Sequence, residues 1–133
     1  MSKVVSLSEA ASIGIHGIIL VARSEESLNV VKIAELTGTS KHHVAKVMQR
    51  LVKEDFVISQ RGPSGGFRLN KNPEDISFLQ IYEAIEGRIV AQKCPMNKTV
   101  CPFNKCILNN IMTDMTLQFR DYLKKQKISD YLS

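Results

Sequence analysis

Behind Ser8 and Glu9, apolar residues crowd a helical run to about residue 23. Ile13, Ile15, Ile18, Ile19 and Ala22 are too closely set for a surface helix, so this first helix is expected to be mostly buried. Residues 29–37 have the length of a two-turn helix, and Gly38-Thr39 separates them from a longer run with Ser40 at its N-cap, reaching about residue 55. In that run Val44, Val47, Met48, Leu51 and Val52 recur at i, i+3, i+4, i+7 and i+8, a single apolar stripe. Helix, glycine turn and helix in this order form a helix-turn-helix pattern. Residues 56–61 and 67–70 then read as two strands around the turn Gly62-Pro-Ser-Gly-Gly66, a β-hairpin where a wing would stand.

Two more helices complete the pattern. Residues 76–86 carry Ser77 and Gln80 at capping-box spacing and Gly87 at the stop, with Phe78, Leu79, Ile81, Tyr82 and Ile85 expected to pack on the domain. Residues 107–125 place Leu108, Met112, Met115, Phe119 and Tyr122 at alternating spacings of four and three, as in a coiled-coil seam. Such a seam either folds back on its own core or pairs with a second copy, and an upstream motif suited to palindromes favours a homodimer. The expected fold is mainly α with a small β-hairpin. A winged helix-turn-helix domain occupies 1–87, a cysteine-bearing loop 88–106, and a long dimerisation helix with a C-terminal turn 107–133.

Charge sharpens this picture by its position. Residues 37–71 hold seven basic and two acidic side chains, a surplus equal to the +5 of all 133 residues. A basic block of this kind suits DNA phosphates, although a solvated face has the same count. The polar face of the helix after Ser40 carries Lys41, His42, His43, Lys46, Gln49, Arg50 and Lys53, long donors gathered toward the end that enters the major groove in this motif. Thr39, Ser40, Lys41, His42, His43, Lys46 and Arg50 are therefore the candidate contacts of this helix. On the hairpin, Arg61, Gly65 and Arg68 are candidates for the backbone or a narrow minor groove, since glycine lets the backbone approach closely. Paired carboxylates, a nucleophile with its base and a phosphate loop are all missing from the sequence, which argues against an enzyme. The longest apolar stretch, 13–22, is broken by Gly14, His16 and Gly17 and is too short to span a bilayer; with no signal-peptide pattern, the expected location is the cytoplasm.

All the cysteines, Cys94, Cys101 and Cys106, fall within thirteen residues. In a cytosolic protein this clustering indicates metal ligation or redox chemistry rather than structural disulfides. Gaps of six and four residues form no C-x-x-C knuckle, which weakens a structural zinc site. Thiolates commonly hold iron-sulfur clusters, and three of them require a fourth ligand, for which histidine has precedent. His16 is the internal candidate: Glu9, Ser12, His16 and Arg23, at spacings of three, four and seven, make a polar stripe on the apolar first helix. A hydrogen-bonded histidine with no ligand role fits that position as well.

The segment Arg61-Gly-Pro-Ser-Gly-Gly-Phe-Arg-Leu69, the helix 76–87 and the closing Ile128-Ser-Asp-Tyr-Leu132 resemble the bacterial regulators of the IscR, NsrR and CymR type, also called the Rrf-two family. The resemblance covers nearly the whole chain. It implies a homodimeric winged-helix repressor that binds a palindromic operator in double-stranded DNA, and three loop cysteines that in many members hold a 2Fe-2S cluster. It also implies a fourth ligand from the partner's first helix, either a carboxylate or a histidine one turn later; here Ser12 stands at the carboxylate position and His16 at the histidine position. The cysteine spacing departs from the family's more even pattern. Some members carry no cluster, which leaves a thiol switch, a zinc-stabilised repressor and control by a partner protein as alternatives.

Overall fold

Ser8 begins the first helix as expected, its hydroxyl accepting the Ala11 N–H at 3.1 Å, with Glu9 in the first turn and Arg23 in the last complementing the helix dipole. The computed structural model describes residues 7–91, 102–105 and 107–133. Its elements are α1 Glu9–Arg23, α2 Val30–Thr37, α3 Lys41–Lys53, β1 Val57–Gln60, β2 Gly66–Leu69, α4 Phe78–Glu86 and α5 Ile111–Lys125, with 3-10 turns at Pro73–Asp75 and Ile128–Tyr131. No described helix is long and apolar enough to cross a membrane.

The core forms around α1, which packs against α2, α3, α4 and β2. Ile18, Ile33, Met48, Leu51, Ile81 and Ile128, from five different segments, are fully buried in one cluster. The glycines that break the apolar run of α1 leave room for neighbouring helices to pack against it. A Cβ on Gly14 would lie 2.2 Å from Ile85 Cδ1, and one on Gly17 3.2 Å from Met48 Sδ. Gly14 thus faces α4 and Gly17 faces α3, and both helices settle on α1 at short range.

The hairpin is antiparallel, in the register Val57↔Leu69, Ile58↔Arg68, Ser59↔Phe67 and Gln60↔Gly66. A single-residue bridge ties it to the loop between α1 and α2: Leu28 donates to Phe67 O at 3.1 Å and Phe67 donates to Leu28 O at 2.8 Å. Gly66, at φ 155°, lets this happen, because a Cβ there would sit 2.6 Å from the Leu28 carbonyl carbon. The wing is therefore fastened at its base to the rest of the domain.

Ser77 and Gln80 form the expected capping box at the start of α4. The segment just before α4 also pairs with the chain after α5: Phe78 donates to Gln126 O and Ile128 donates to Ile76 O, both at 2.9 Å. Tyr131 stacks on Phe78 with ring centroids 5.3 Å apart. Tyr82 meets Phe119 edge to face at 5.6 Å; burial first, and the Glu86 carboxylate second, raise its phenol above the usual tyrosine range.

Two features of the last helix differ from the sequence expectation. It begins at Ile111 rather than near residue 107, because Asn109 and Asn110 both have left-handed backbones, φ 53° and 59°. The expected seam is also divided. Phe119 turns onto α4, and Leu123, outside the seam, is the buried residue of α5, whereas Leu108, Met112 and Tyr122 are 40%, 38% and 55% exposed. A straight helix turns about 100° per residue, so Leu123 lies about 40° to one side of Phe119 and Tyr122 about 60° to the other, and the face turned to the core is centred on the Leu123 side. The core continues through the end of α5.

Leu123→Ala is expected to lower the unfolding free energy by about 2–5 kcal/mol by opening a cavity, and Lys124→Ala on the exposed side to change it by less than about 0.5 kcal/mol. Urea unfolding followed by circular dichroism checks this. Equal effects would mean that α5 is not anchored by its Leu123 face.

Candidate nucleic-acid interface

The turn between α2 and α3 is short because Gly38 takes the left-handed conformation, φ 68° and ψ 28°, where a β-carbon would be strained. Thr39 N–H returns to the Ala34 carbonyl at 3.2 Å, and the Thr37 and Thr39 hydroxyls bond each other at 2.8 Å. Ser40 then caps α3, accepting the His43 N–H at 3.1 Å. Val44, Val47, Met48 and Leu51 turn inward, as the stripe requires.

The opposite face of α3 is open. Ser40, Lys41, His42, Lys46, Gln49 and Arg50 are exposed, and His43 and Ala45 are half-buried. A shallow groove runs along Ser40, His42, His43, Ala45, Lys46 and Gln49. Besides Ser40, which caps the helix, three of the expected contacts have intramolecular partners here. The Thr39 hydroxyl is engaged inside the turn. Arg50 donates from Nε to the Ala84 carbonyl at 2.8 Å and lies 3.9 Å from Glu54, so it ties α3 to α4. His43 Nδ1 sits 3.1 Å from Glu9 Oε1 on α1. The sequence showed Glu9 and His43 as members of two separate stripes; that they meet depends on how α1 crosses α3.

On the wing, Arg61 is exposed at the tip, and Arg68 is exposed on the outer face of β2 beside Ile58, its Nη2 3.5 Å from the Glu25 carbonyl. Gly65 closes the turn by donating to Gly62 O at 2.9 Å. Any side chain there would collide with its own turn, since a Cβ would lie 2.4 Å from Gln60 O. The glycine is thus demanded by local geometry.

The polar stripe of α1 lines a cleft of ≈ 340 Å³ that reaches Thr37 and Thr39 of the helix-turn-helix, with Glu9, Ser12, His16 and Arg23 along one wall. Arg23 donates to the Ser133 carbonyl at 2.9 Å. His16 is exposed, with Nδ1 2.7 Å from the Ser12 carbonyl oxygen. A carbonyl only accepts, so Nδ1 carries the proton and the neutral ring keeps its lone pair on Nε2, the state a metal-ligating imidazole needs. The donor chemistry of His16 therefore fits a ligand. Cys94, Cys101 and Cys106 lie outside the described residues.

The same assembly of helices and wing occurs in known proteins. The Rrf2 family model, described as an iron-dependent transcriptional regulator, matches residues 7–133. The HTH-type transcriptional regulator NsrR of Bacillus subtilis (strain 168) is 32% identical over 110 residues, which cover 81% of this chain and 75% of that protein. The HTH-type transcriptional regulator IscR of Pectobacterium atrosepticum is 24% identical over 109 residues, 82% of this chain and 66% of that one. Among solved structures, CymR (YrzC), the global cysteine regulator of B. subtilis, has a TM-score of 0.78 at 20% identity, with 96% of each chain covered. IscR of T. potens has a TM-score of 0.76 at 21% identity, covering 96% of this chain and 86% of that one. These two likenesses are of fold, while the family model and the NsrR relative concern the sequence itself, and the named relatives are regulators rather than enzymes. With its helix-turn-helix at α2 and α3 and its wing at β1 and β2, this chain belongs to the Rrf2 family of transcriptional regulators.

Proposed function

We propose that this regulator represses transcription by binding, as a homodimer, a palindromic operator in double-stranded DNA. Thr39, Ser40, Lys41, His42, His43 and Lys46 approach the major groove with Arg50 alongside, and Arg61, Gly65 and Arg68 follow the backbone or the adjacent minor groove. The observation that carries this reading is the open face of α3, whose donors stand at its N-terminal half while its apolar stripe is spent on the core. Lysine and arginine would neutralise phosphates and release counterions, which makes the affinity salt-dependent. The exposed apolar side chains at Leu108, Ile111 and Met112 support pairing of two copies through the first half of α5.

For sensing, the donor set supports a 2Fe-2S cluster held by Cys94, Cys101 and Cys106, with His16 of the partner subunit as fourth ligand. The description of the family as iron-dependent agrees with this. A bound cluster supplies one-electron redox chemistry and reactivity toward nitric oxide. The chain's own part is to hold the ligand and transmit its position. Ser12 fixes the His16 ring through the 2.7 Å bond to Nδ1, and the close packing of α1 on α3 at Gly17 and Met48 would pass a shift of α1 to the recognition helix.

Lys41→Ala and Arg61→Ala are each expected to weaken operator binding about equally across sequences and to reduce the salt slope by about one. Anisotropy titrations over a salt series measure both, and unchanged affinity would remove these residues from the interface.

Protein purified without oxygen is expected to be coloured, with iron and sulfide near two each per chain, and His16→Ala to change its visible spectrum. A colourless, iron-free product after reconstitution would overturn the cluster. Zinc analysis and thiol counting on that product would then separate a zinc-stabilised repressor from a thiol switch.

A further inference from the structure

The donors of α3 are nearly all of one kind. Lys41–Lys53 contains no acidic residue; its exposed lysines and arginine only donate hydrogen bonds, and of its exposed side chains His42 and Gln49 can also accept. Sequence reading in the major groove also requires acceptors, because cytosine and adenine present amino groups there. His43 is placed to be one. It lies in the first turn of α3, its backbone N–H on the Ser40 cap, where a recognition helix meets base edges.

Its ring is held from one side by α1. Nδ1 lies 3.1 Å from Glu9 Oε1, with the imidazole 34% and the carboxylate 66% exposed. A carboxylate only accepts, so the proton of this contact is on Nδ1. The nearby Glu86 carboxylate already receives the Ser8 hydroxyl at 2.7 Å. The His43 ring borders two open grooves, one along Ser40, His42 and Gln49 on the outer face of α3, the other toward Ala10 and Glu86. One edge of the imidazole is thus committed to α1 while the ring also borders the outer face.

We infer that Glu9 is a positioning residue for DNA reading: by keeping the His43 proton on Nδ1 it presents Nε2 to the major groove as an acceptor, which selects a base with an exocyclic amino group, cytosine N4 or adenine N6. This rests on the DNA-contacting face proposed above. Without Glu9 the neutral ring is free to carry its proton on either nitrogen. An Nε2–H donor would instead favour the O6 and N7 acceptors of guanine. Glu9 itself touches no base in this scheme; it acts on specificity through the tautomer of its neighbour. The contact is largely exposed and contributes little to stability, so Glu9 variants should fold normally.

The test uses the full chain at pH 8 and a duplex that the wild type selects from a random-sequence pool. Long-range nitrogen–proton correlation spectra of imidazole-labelled protein are expected to show His43 in the Nδ1–H tautomer, and Glu9→Ala to lose that preference. In the selected duplex, each adenine is replaced by purine and each cytosine by 2-pyrimidinone, which removes the amino group alone. One such deletion per half-site is expected to weaken wild-type binding about three- to tenfold, the scale of one hydrogen bond, and to have no effect in His43→Ala or Glu9→Ala. Glu9→Gln, which keeps an acceptor oxygen, is expected to retain the discrimination. An Nε2–H tautomer in the wild type, or equal losses in wild type and Glu9→Ala, would overturn the inference and leave the DNA-binding proposal standing. A wild type that selects no sequence from the pool would overturn both.

Discussion

Burial of α1 is the constraint on which the other elements depend. Ala11 and Ile18 are fully enclosed and Ile13, Ile15 and Val21 nearly so, in a helix that touches α2, α3, α4 and β2. Each isoleucine of this kind contributes about 1.5–3 kcal/mol by leaving water. Gly14 and Gly17 let α4 and α3 approach without a side chain between them. Interiors packed at this density do not deform gradually. A displacement of α1 would therefore be felt by the helices packed directly against it, α3 and α4 among them.

The recognition helix shows how one sequence pattern serves two surfaces. Its stripe from Val44 to Leu51 is used up in the core, and the remaining face must be polar. Yet the polar side chains do not all share one task. Arg50 reaches back to the Ala84 carbonyl and Glu54, bracing α3 against α4. His43 is shared between α1 and the outer groove. Lys41, His42 and Lys46 stay exposed. Bracing near the C-terminal half and open donors near the N-terminal half suit a helix that must be held firmly while its tip meets a ligand.

At the other end of the chain, α5 divides along its length. Its second half belongs to the core through Phe119 and Leu123, and the following turn is stitched to the start of α4 by backbone bonds at Phe78 and Ile128. Its first half, with Ile111 and Met112, leaves apolar surface open. Heptad-like spacing reports only that apolar residues recur along a helix. Whether each one meets its own domain or another molecule depends on the path of the helix axis over the core.

Residue type and spacing alone determined the order of elements here, because caps and apolar periodicity act over three or four residues: Ser8, Asn29, Ser40 and Ser77 all cap the helices they precede. The glycine turn at Gly38 and the wing around Gly62 to Gly66 were legible for the same reason. The local sequence did not hold the late start of α5, since two consecutive left-handed asparagines are a conformational choice made with the surrounding chain. Nor did it hold the pairing of Glu9 with His43, 34 residues apart, or of Arg50 with Ala84, again 34 apart. Those contacts come from the crossing of α1, α3 and α4, which is decided by how isoleucines and glycines interlock in the core. Residue type and local spacing were enough to place polar side chains on particular helices; which of them face each other and which remain open was settled by the way the helices cross, a long-range outcome of core packing.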